Sequence, residues 1–382
     1  MKRGELDSRL LILVTLALVA FGLVMVYSAT SASATVGGSD PIYYLKRQGI
    51  YAALGIILMI VAQRWDYRRL RLLSPVLVLA SLGLLTAVLV IGPAINGARR
   101  WISLGPAVFQ PSELAKVALA IWAAGYLARK PAPRNLRELW KPVGALAALF
   151  CLLLMLEPDM GTSIALLVML SGMLVVAGTP ARVLGAALTI ACAAGTAAIW
   201  LEPYRRARFF AFLHPWHDAQ GTGFQLVQAM ISMGSGGIFG VGLGQSVGKI
   251  FYLPEAHTDM MLAVIGEELG LVGVTAVIAA YATFAYAGFN IAAVMGVAPL
   301  TGIPLPFLSY GGSSLVVLLV GVGILLNIAQ HGNRAAVAVP DRRGGNGRTR
   351  ATGTRRRGSA PGTRRTGDVR RVAGSRRSAA GS

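Results

Sequence analysis

The sequence predicts an all-α, polytopic membrane protein, and three observations carry that prediction. Fifty-five per cent of the 382 residues are hydrophobic and only 14% are charged, with a mean hydropathy of +0.61. A soluble fold of this length shows more charge and shorter apolar runs. The runs here have membrane length, against a requirement of roughly 20 residues per crossing. They are built from Gly, Ala, Leu and Val without strand-like alternation, so they are helices and not barrel strands.

The first run, Leu10–Tyr27, sits between a basic MKR start and "ATSASA". Its apolar core exceeds the roughly 7–15 residues of a cleaved signal and further spans follow, so it reads as a retained helix. Gly49–Gln63 and Val76–Ile91 flank "RWDYRRLRLL", and Glu113–Leu127 and Val143–Leu156 flank "ARKPAPRNLRELWK". Short loops rich in Lys and Arg stay in the cytoplasm, which fixes the orientation and gives both termini a cytoplasmic address. Thr162–Ala177, Val183–Trp200, Met260–Gly288 and Ser314–Ile328 complete the set, with a large extracytoplasmic loop at residues 201–259. Residues 1–330 form the membrane domain. From 331 to 382 the chain carries 14 arginines against two aspartates, spaced by Pro, Gly, Ser and Thr, with almost nothing to bury. That composition predicts a disordered cytoplasmic tail on anionic membrane lipid, not a nucleic-acid binder. Cys151 and Cys192 lie inside apolar runs, so no disulfide framework or zinc site is supported, and "HPWHD" at His214–Asp218 lacks a third ligand.

The ionisable residues are concentrated at one end of the spans. Arg99, Arg100, Trp101, Glu113, Lys116, Glu157, Asp159, Arg205, Arg206, Arg208, His257 and Asp259 all map to outer ends. "FYLPEAHTDMMLAVIGEELG" goes further, putting His257, Asp259, Glu267 and Glu268 at and inside the start of a hydrophobic run, where ionisable groups are costly. Glu113 and Lys116, three apart on a helix, share a face and can neutralise one another. "ARRW" and "PYRRARFF" place arginines outside, against the charge rule, which suggests an anionic partner there. A cavity opening outward, lined by both signs and flanked by lipid, suits an amphiphilic anionic substrate. Trp101 reads equally as an interfacial aromatic, and the glycines of "SYGGSS" equally as a turn.

On "NGARRWISLGPAVFQPSELAK", "LEPDMGTS", "FLHPWHDAQGTGFQLVQAMISMGSGGIFGVGLGQS", "FYLPEAHTDMMLAVIGEELGLVG" and "TGIPLPFLSYGGSSL", in that order, the chain resembles the FtsW/RodA family, the SEDS proteins. "PEAHTD" is closer to the division-type, FtsW members. The resemblance implies a peptidoglycan glycosyltransferase that polymerises lipid II, an undecaprenyl-diphosphate disaccharide-pentapeptide, on the outer face of the cytoplasmic membrane at the division septum. It implies a class B penicillin-binding protein as partner, with other divisome proteins. The family's essential acid falls on Asp259, the expected general base. Substrate binding is expected from Arg100, Trp101, Glu113, Lys116, Asp159, Arg205, Arg208, His257, Ser309, Gly311 and Gly312. Positive charge must meet the departing diphosphate, from Lys116, the Arg205–Arg208 cluster or a divalent cation, Mg or Mn.

The resemblance also implies about ten transmembrane helices, which this chain does not reach. Met260–Leu300 has to hold two spans and an inner loop, yet no Lys or Arg occurs between Lys249 and Arg334. One helical region reads as truncated. The expectation is a chain discontinuity near Tyr286–Gly296, or a single long kinked helix that leaves Ser309–Ser314 on the wrong side. Two other functions stand beside the polymerase: a lipid II flippase or transporter, and a non-catalytic division scaffold. Charged groups at one face favour the enzyme, because a transporter keeps its substrate groups near mid-membrane.

Overall fold

The structure, a computed structural model, describes residues 3–36, 40–94, 97–105, 107–250, 253–254, 256–289 and 305–337. The chain divides into two compact units, Met1–Ala338 and Val339–Ser382, of which the first is described. In chain order the elements are α1 (Arg3–Val36), α2 (Tyr43–Arg64), α3 (Tyr67–Ile91), a short hairpin β1 (Ile102–Leu104) and β2 (Ala107–Phe109), α4 (Pro111–Leu127) and α5 (Leu136–Leu139). A π-turn at Trp140–Gly144 leads into α6 (Ala145–Leu156). There follow α7 (Met160–Val176), α8 (Ala181–Leu201), α9 (Pro203–Leu213), α10 (Phe224–Ser235), α11 (Met261–Phe289) and α12 (Gly312–Val337).

Each of the nine apolar runs is helical. Among the described residues, seven helical segments are long and apolar enough to cross a membrane, while α4 and α7 have 17 residues each. Their outer surfaces keep large apolar side chains exposed, Leu13, Leu72 and Val90 among them, as a lipid-facing surface should. Inside, the helices form two cores. Leu11, Met25, Met261, Ile265, Leu308 and Leu319 belong to one, built from α1, α2, α11 and α12. The other joins α3, α4, α6 and α7 through Leu85, Leu119, Phe150, Leu154 and Leu166.

Close approaches fix helix direction. A Cβ on Gly312 would strike the Tyr51 ring, one on Gly323 would strike Met59 O, and Asn327 donates to Gln63 O at 2.6 Å. So α12 runs parallel to α2. At the other seam, a Cβ on Gly22 of α1 would lie 2.3 Å from Phe307 O. Ser28, farther along α1, reaches Glu268 near the start of α11, so α1 runs toward the end where α11 and α12 begin, and Arg3 and Val337 lie together at the far end. The opposite end carries Asp259 and is the site end.

Three expectations change. The loop at 201–259 contains two helices that the sequence reading missed, α9 and α10. α11 is interrupted at Gly270, whose φ of 64° and ψ of −161° suit glycine alone. Ser309–Gly312 stands at the site end, where Tyr310 N donates to His257 O at 2.8 Å, and not on the wrong side. The join expected within Tyr286–Gly296 falls largely on 290–304, outside the described residues.

Candidate active site

α4 starts where a helix can tolerate a carboxylate. Pro111 occupies the first turn, where its missing N–H costs nothing, and Glu113 follows at the positive end of the helix dipole. Glu113 is buried, and its Oε1 accepts from Lys116 Nζ at 2.8 Å; the lysine is half-buried. The amide of Gln110, just before α4, donates to Ser313 Oγ at 3.2 Å, and Val108 N of β2 donates to Tyr51 Oη at 3.4 Å. The hairpin thereby bridges the two cores, bringing the first turn of α4 to the first turn of α12.

The "HTD" and "SYGG" stretches meet on the other side of that bridge. The ring of His257 lies 5.0 Å from Tyr44 and 5.6 Å from Tyr310, centroid to centroid. Gln48 of α2 donates to Ser309 O at 3.3 Å and accepts from Gly311 N at 3.4 Å. Ser309 is buried, with its hydroxyl accepting from Leu305 N at 3.0 Å. Thus the amides of Tyr310 and Gly311 are already engaged within the protein. His257 and Asp259 are half-buried, as are Gly311 and Gly312. Burial pushes the Tyr310 phenol up to about 12, so it remains a protonated donor at neutral pH.

Three of the outward arginines hold carbonyl oxygens at helix ends. Arg99 donates to Leu89 O and Val90 O at the C-terminus of α3. Arg100 donates to Glu157 O at 3.0 Å and to Pro158 O, at the C-terminus of α6. Arg205 donates to Met155 O and Ala198 O, both at 3.2 Å, tying α6 to α8. Cations are stabilised at helix C-termini, where the last carbonyls lack intrahelical partners. Arg206 and Arg208 are exposed and lie over the rings of Trp200 and Tyr204 at 6.0 and 5.2 Å.

Asp159 caps α7, its carboxylate accepting from Thr162 N at 3.0 Å and Thr162 Oγ1 at 2.7 Å. Trp101 is half-buried just before β1. Beside Asp159, the Glu157 side chain is fully buried, and neither carboxylate oxygen has a hydrogen-bond partner. Burial, and then the Asp159 charge, push its carboxyl up to about 8, with Arg100 opposing. Sequence reasoning missed Tyr44, Gln48 and Tyr51; Gln48 follows Lys46 and Arg47 just before the apolar run and gave no signal of its own. No group of three His, Cys, Asp or Glu that could hold a metal occurs among the described residues, so a resident metal cage does not fit them.

The chain matches the profile of the FtsW, RodA and SpoVE family, described as cell cycle proteins, over residues 8–294 and again over 288–334. It is 40% identical over 359 residues to a probable peptidoglycan glycosyltransferase FtsW of Geobacter sulfurreducens, covering 86% of this chain and 96% of that one. With the protein of that name from Nitrosococcus halophilus it shares 40% over 346 residues, 82% and 89% of the two chains. Among solved structures, a chain from a peptidoglycan synthase complex that coordinates polymerization and crosslinking superposes with a TM-score of 0.67 at 31% identity, over 84% of this chain and 96% of that one. The rod shape determining protein RodA of Thermus thermophilus gives 0.58 at 29%, over 84% and 95%. The chain belongs to the FtsW/RodA family.

Proposed function

We propose that this member of the family polymerises lipid II on the outer face of the cytoplasmic membrane, with Asp259 as general base. As a member of the FtsW/RodA family the chain is a peptidoglycan glycosyltransferase of cell division. The observation that carries the base assignment is the half-buried carboxylate of Asp259 at the head of α11, two residues from His257 and its Tyr44–Tyr310 cluster. Asp259 takes the proton from the acceptor hydroxyl as that oxygen attacks the anomeric carbon. The bond from that carbon to the diphosphate oxygen breaks, and the lipid diphosphate leaves with the electron pair. Lys116 and Arg208 supply positive charge to it, and Trp101 stacks on the sugar or prenyl chain. Arg100, Arg205 and Asp159 hold the helix ends that frame the mouth, while Ser309, Gly311 and Gly312 set its floor. A Mg or Mn ion arriving with the diphosphate fits this reading better than a resident one.

The proposed partner is a class B penicillin-binding protein that cross-links the new strand, with septal placement among other divisome proteins. Both termini are assigned to the cytoplasm. We also infer that a segment has been lost near residues 286–296. The family profile matches in two pieces that overlap there, and 359 aligned positions use only 86% of the 382 residues, a deficit of about one helix and its loop.

The test uses purified full-length chain with its partner and lipid II in detergent, where flipping has no meaning. Glycan strands resolved on a gel are expected. If lipid II is left untouched while the partner is present and folded, the polymerase reading fails.

A further inference from the structure

Two carboxylates stand side by side two turns into α11, a place where ionisable groups are expensive. Both are buried and both are fully occupied. Glu267 accepts from Ser246 Oγ at 2.6 Å through Oε2, and from Val247 N at 2.8 Å and Gly248 N at 3.2 Å through Oε1. Glu268 accepts from Ser28 Oγ of α1 at 2.6 Å and from Lys249 Nζ at 2.8 Å. The ammonium of Lys249 also donates to Gly244 O at 2.7 Å. The side chains of Lys249 and Glu268 are 1% and 0% exposed, so water screens neither charge.

Backbone bonds join the same segments. The interruption at Gly270 lets Glu267 O and Glu268 O accept from Val241 N and Gly242 N, at 2.9 and 3.0 Å. Leu271 N and Val272 N in turn donate to Gly237 O and Ile238 O. The approach is close enough to require glycine: a Cβ on Gly236 would lie 2.0 Å from Gly266 O, and one on Gly240 2.2 Å from Glu268 O. Residues 236–249 are therefore fastened along the start of α11. His257 and Asp259 lie between that fastened segment and the first turn of α11, among the described residues 253–254 and 256–260.

We propose that Glu267 and Glu268 are positioning residues for the glycosyl transfer, clamping that segment to the start of α11 and so fixing where Asp259 stands. The proposal rests on the reading of Asp259 as base, and adds what holds that base in place. An apolar seal could exclude water here, but it would not set register. Charge and directed hydrogen bonds to one ammonium, two hydroxyls and two consecutive amides do.

The test is made on the full-length chain with its partner and lipid II. Lys249→Met with Glu268→Leu removes both charges and keeps volume, while Glu267→Gln keeps an acceptor for the loop amides and Glu267→Leu does not. The paired variant should remain monodisperse yet lose at least about tenfold in kcat, with KM within about twofold. Glu267→Gln should recover most of what Glu267→Leu loses. In an Asp259→Asn background the paired change should lower the residual rate by less than about twofold, because both act on one step. A full additional tenfold there, or a change confined to KM, overturns the proposal. Asp259→Asn protein as active as the parent would reject the base reading alone. The clamp is then judged by amide exchange, as it is if the parent makes no glycan. Exchange across Leu253–Asp259 should rise at least about tenfold in the paired variant, and unchanged protection there overturns the clamp.

Discussion

Two ion pairs of equal length stand in opposite surroundings in this molecule. Glu113–Lys116 and Lys249–Glu268 both close at 2.8 Å. The first links neighbours three residues apart on one helix, at the mouth, with its lysine 25% exposed. The second joins a loop to α11, with Ser28 of α1 as third member, and is sealed. A pair that a helix builds locally and leaves half open can exchange its partner for a substrate phosphate. A sealed pair cannot, and its energy goes into holding chain segments together. Proximity of opposite charges thus says little about role until exposure and sequence separation are known.

Asp259 is the reference against which both pairs are judged. Asp259→Asn should cut glycan synthesis by roughly 10²–10⁴-fold with expression and membrane insertion unchanged. Near-normal strand length from that variant would sink the assignment. For the mouth pair, Lys116→Met should cost activity by about 10²-fold while lowering stability by less than Lys249→Met does. Glu113→Gln added to it should not restore function; rescue would make the pair a mere spacer. The sealed pair reverses the pattern. Lys249→Met alone leaves a buried carboxylate without its cation and should lower stability by about 3–5 kcal/mol, read by unfolding in detergent.

Glu157 sharpens the comparison, being a buried carboxylate without a partner. Its raised pKa means the folded state holds a proton that the unfolded chain releases, so stability falls as pH rises between about 4.5 and about 8. Glu157→Gln should flatten that slope and exceed the parent in melting temperature near pH 8. An unchanged slope would show that Glu157 is ionised in the fold. The smallest effect is expected from removing the arginine-rich tail after Ala338. Polymerisation in vitro should persist, and only salt-sensitive binding to anionic vesicles should weaken.

The spans were legible because apolar runs of membrane length have few alternatives, and all nine became helices. α9 was not, since its Phe209, Phe210 and Phe212 follow directly on Arg205, Arg206 and Arg208 and it buries nothing of its own. α10 has only 12 residues, and the hairpin strands have three each, too short for a period to show. Within the site, "HTD" and "SYGG" could be read from the sequence, and so could the cost of Glu267 and Glu268. Their partners could not: Ser28 lies 240 residues from Glu268, and Gln48 261 from Ser309. The acceptors of three outward arginines were hidden for the same reason. Arg99, Arg100 and Arg205 hold neutral carbonyl oxygens at helix ends, which no composition reveals.

That capping also reaches both ways along the chain. Arg99 finds its carbonyls nine and ten residues back in α3, so it can cross to the site end already paired. Arg100 has no such option, because its acceptors at Glu157 and Pro158 are synthesised more than fifty residues later. Arg205 arrives last and grips Met155, made fifty residues earlier. Arg100 and Arg205 thus both hold the end of α6, one from before it in the chain and one from after it. A chain stalled after α5 would hold Arg100 at the surface with nothing to cap, its first four spans threaded and not yet locked.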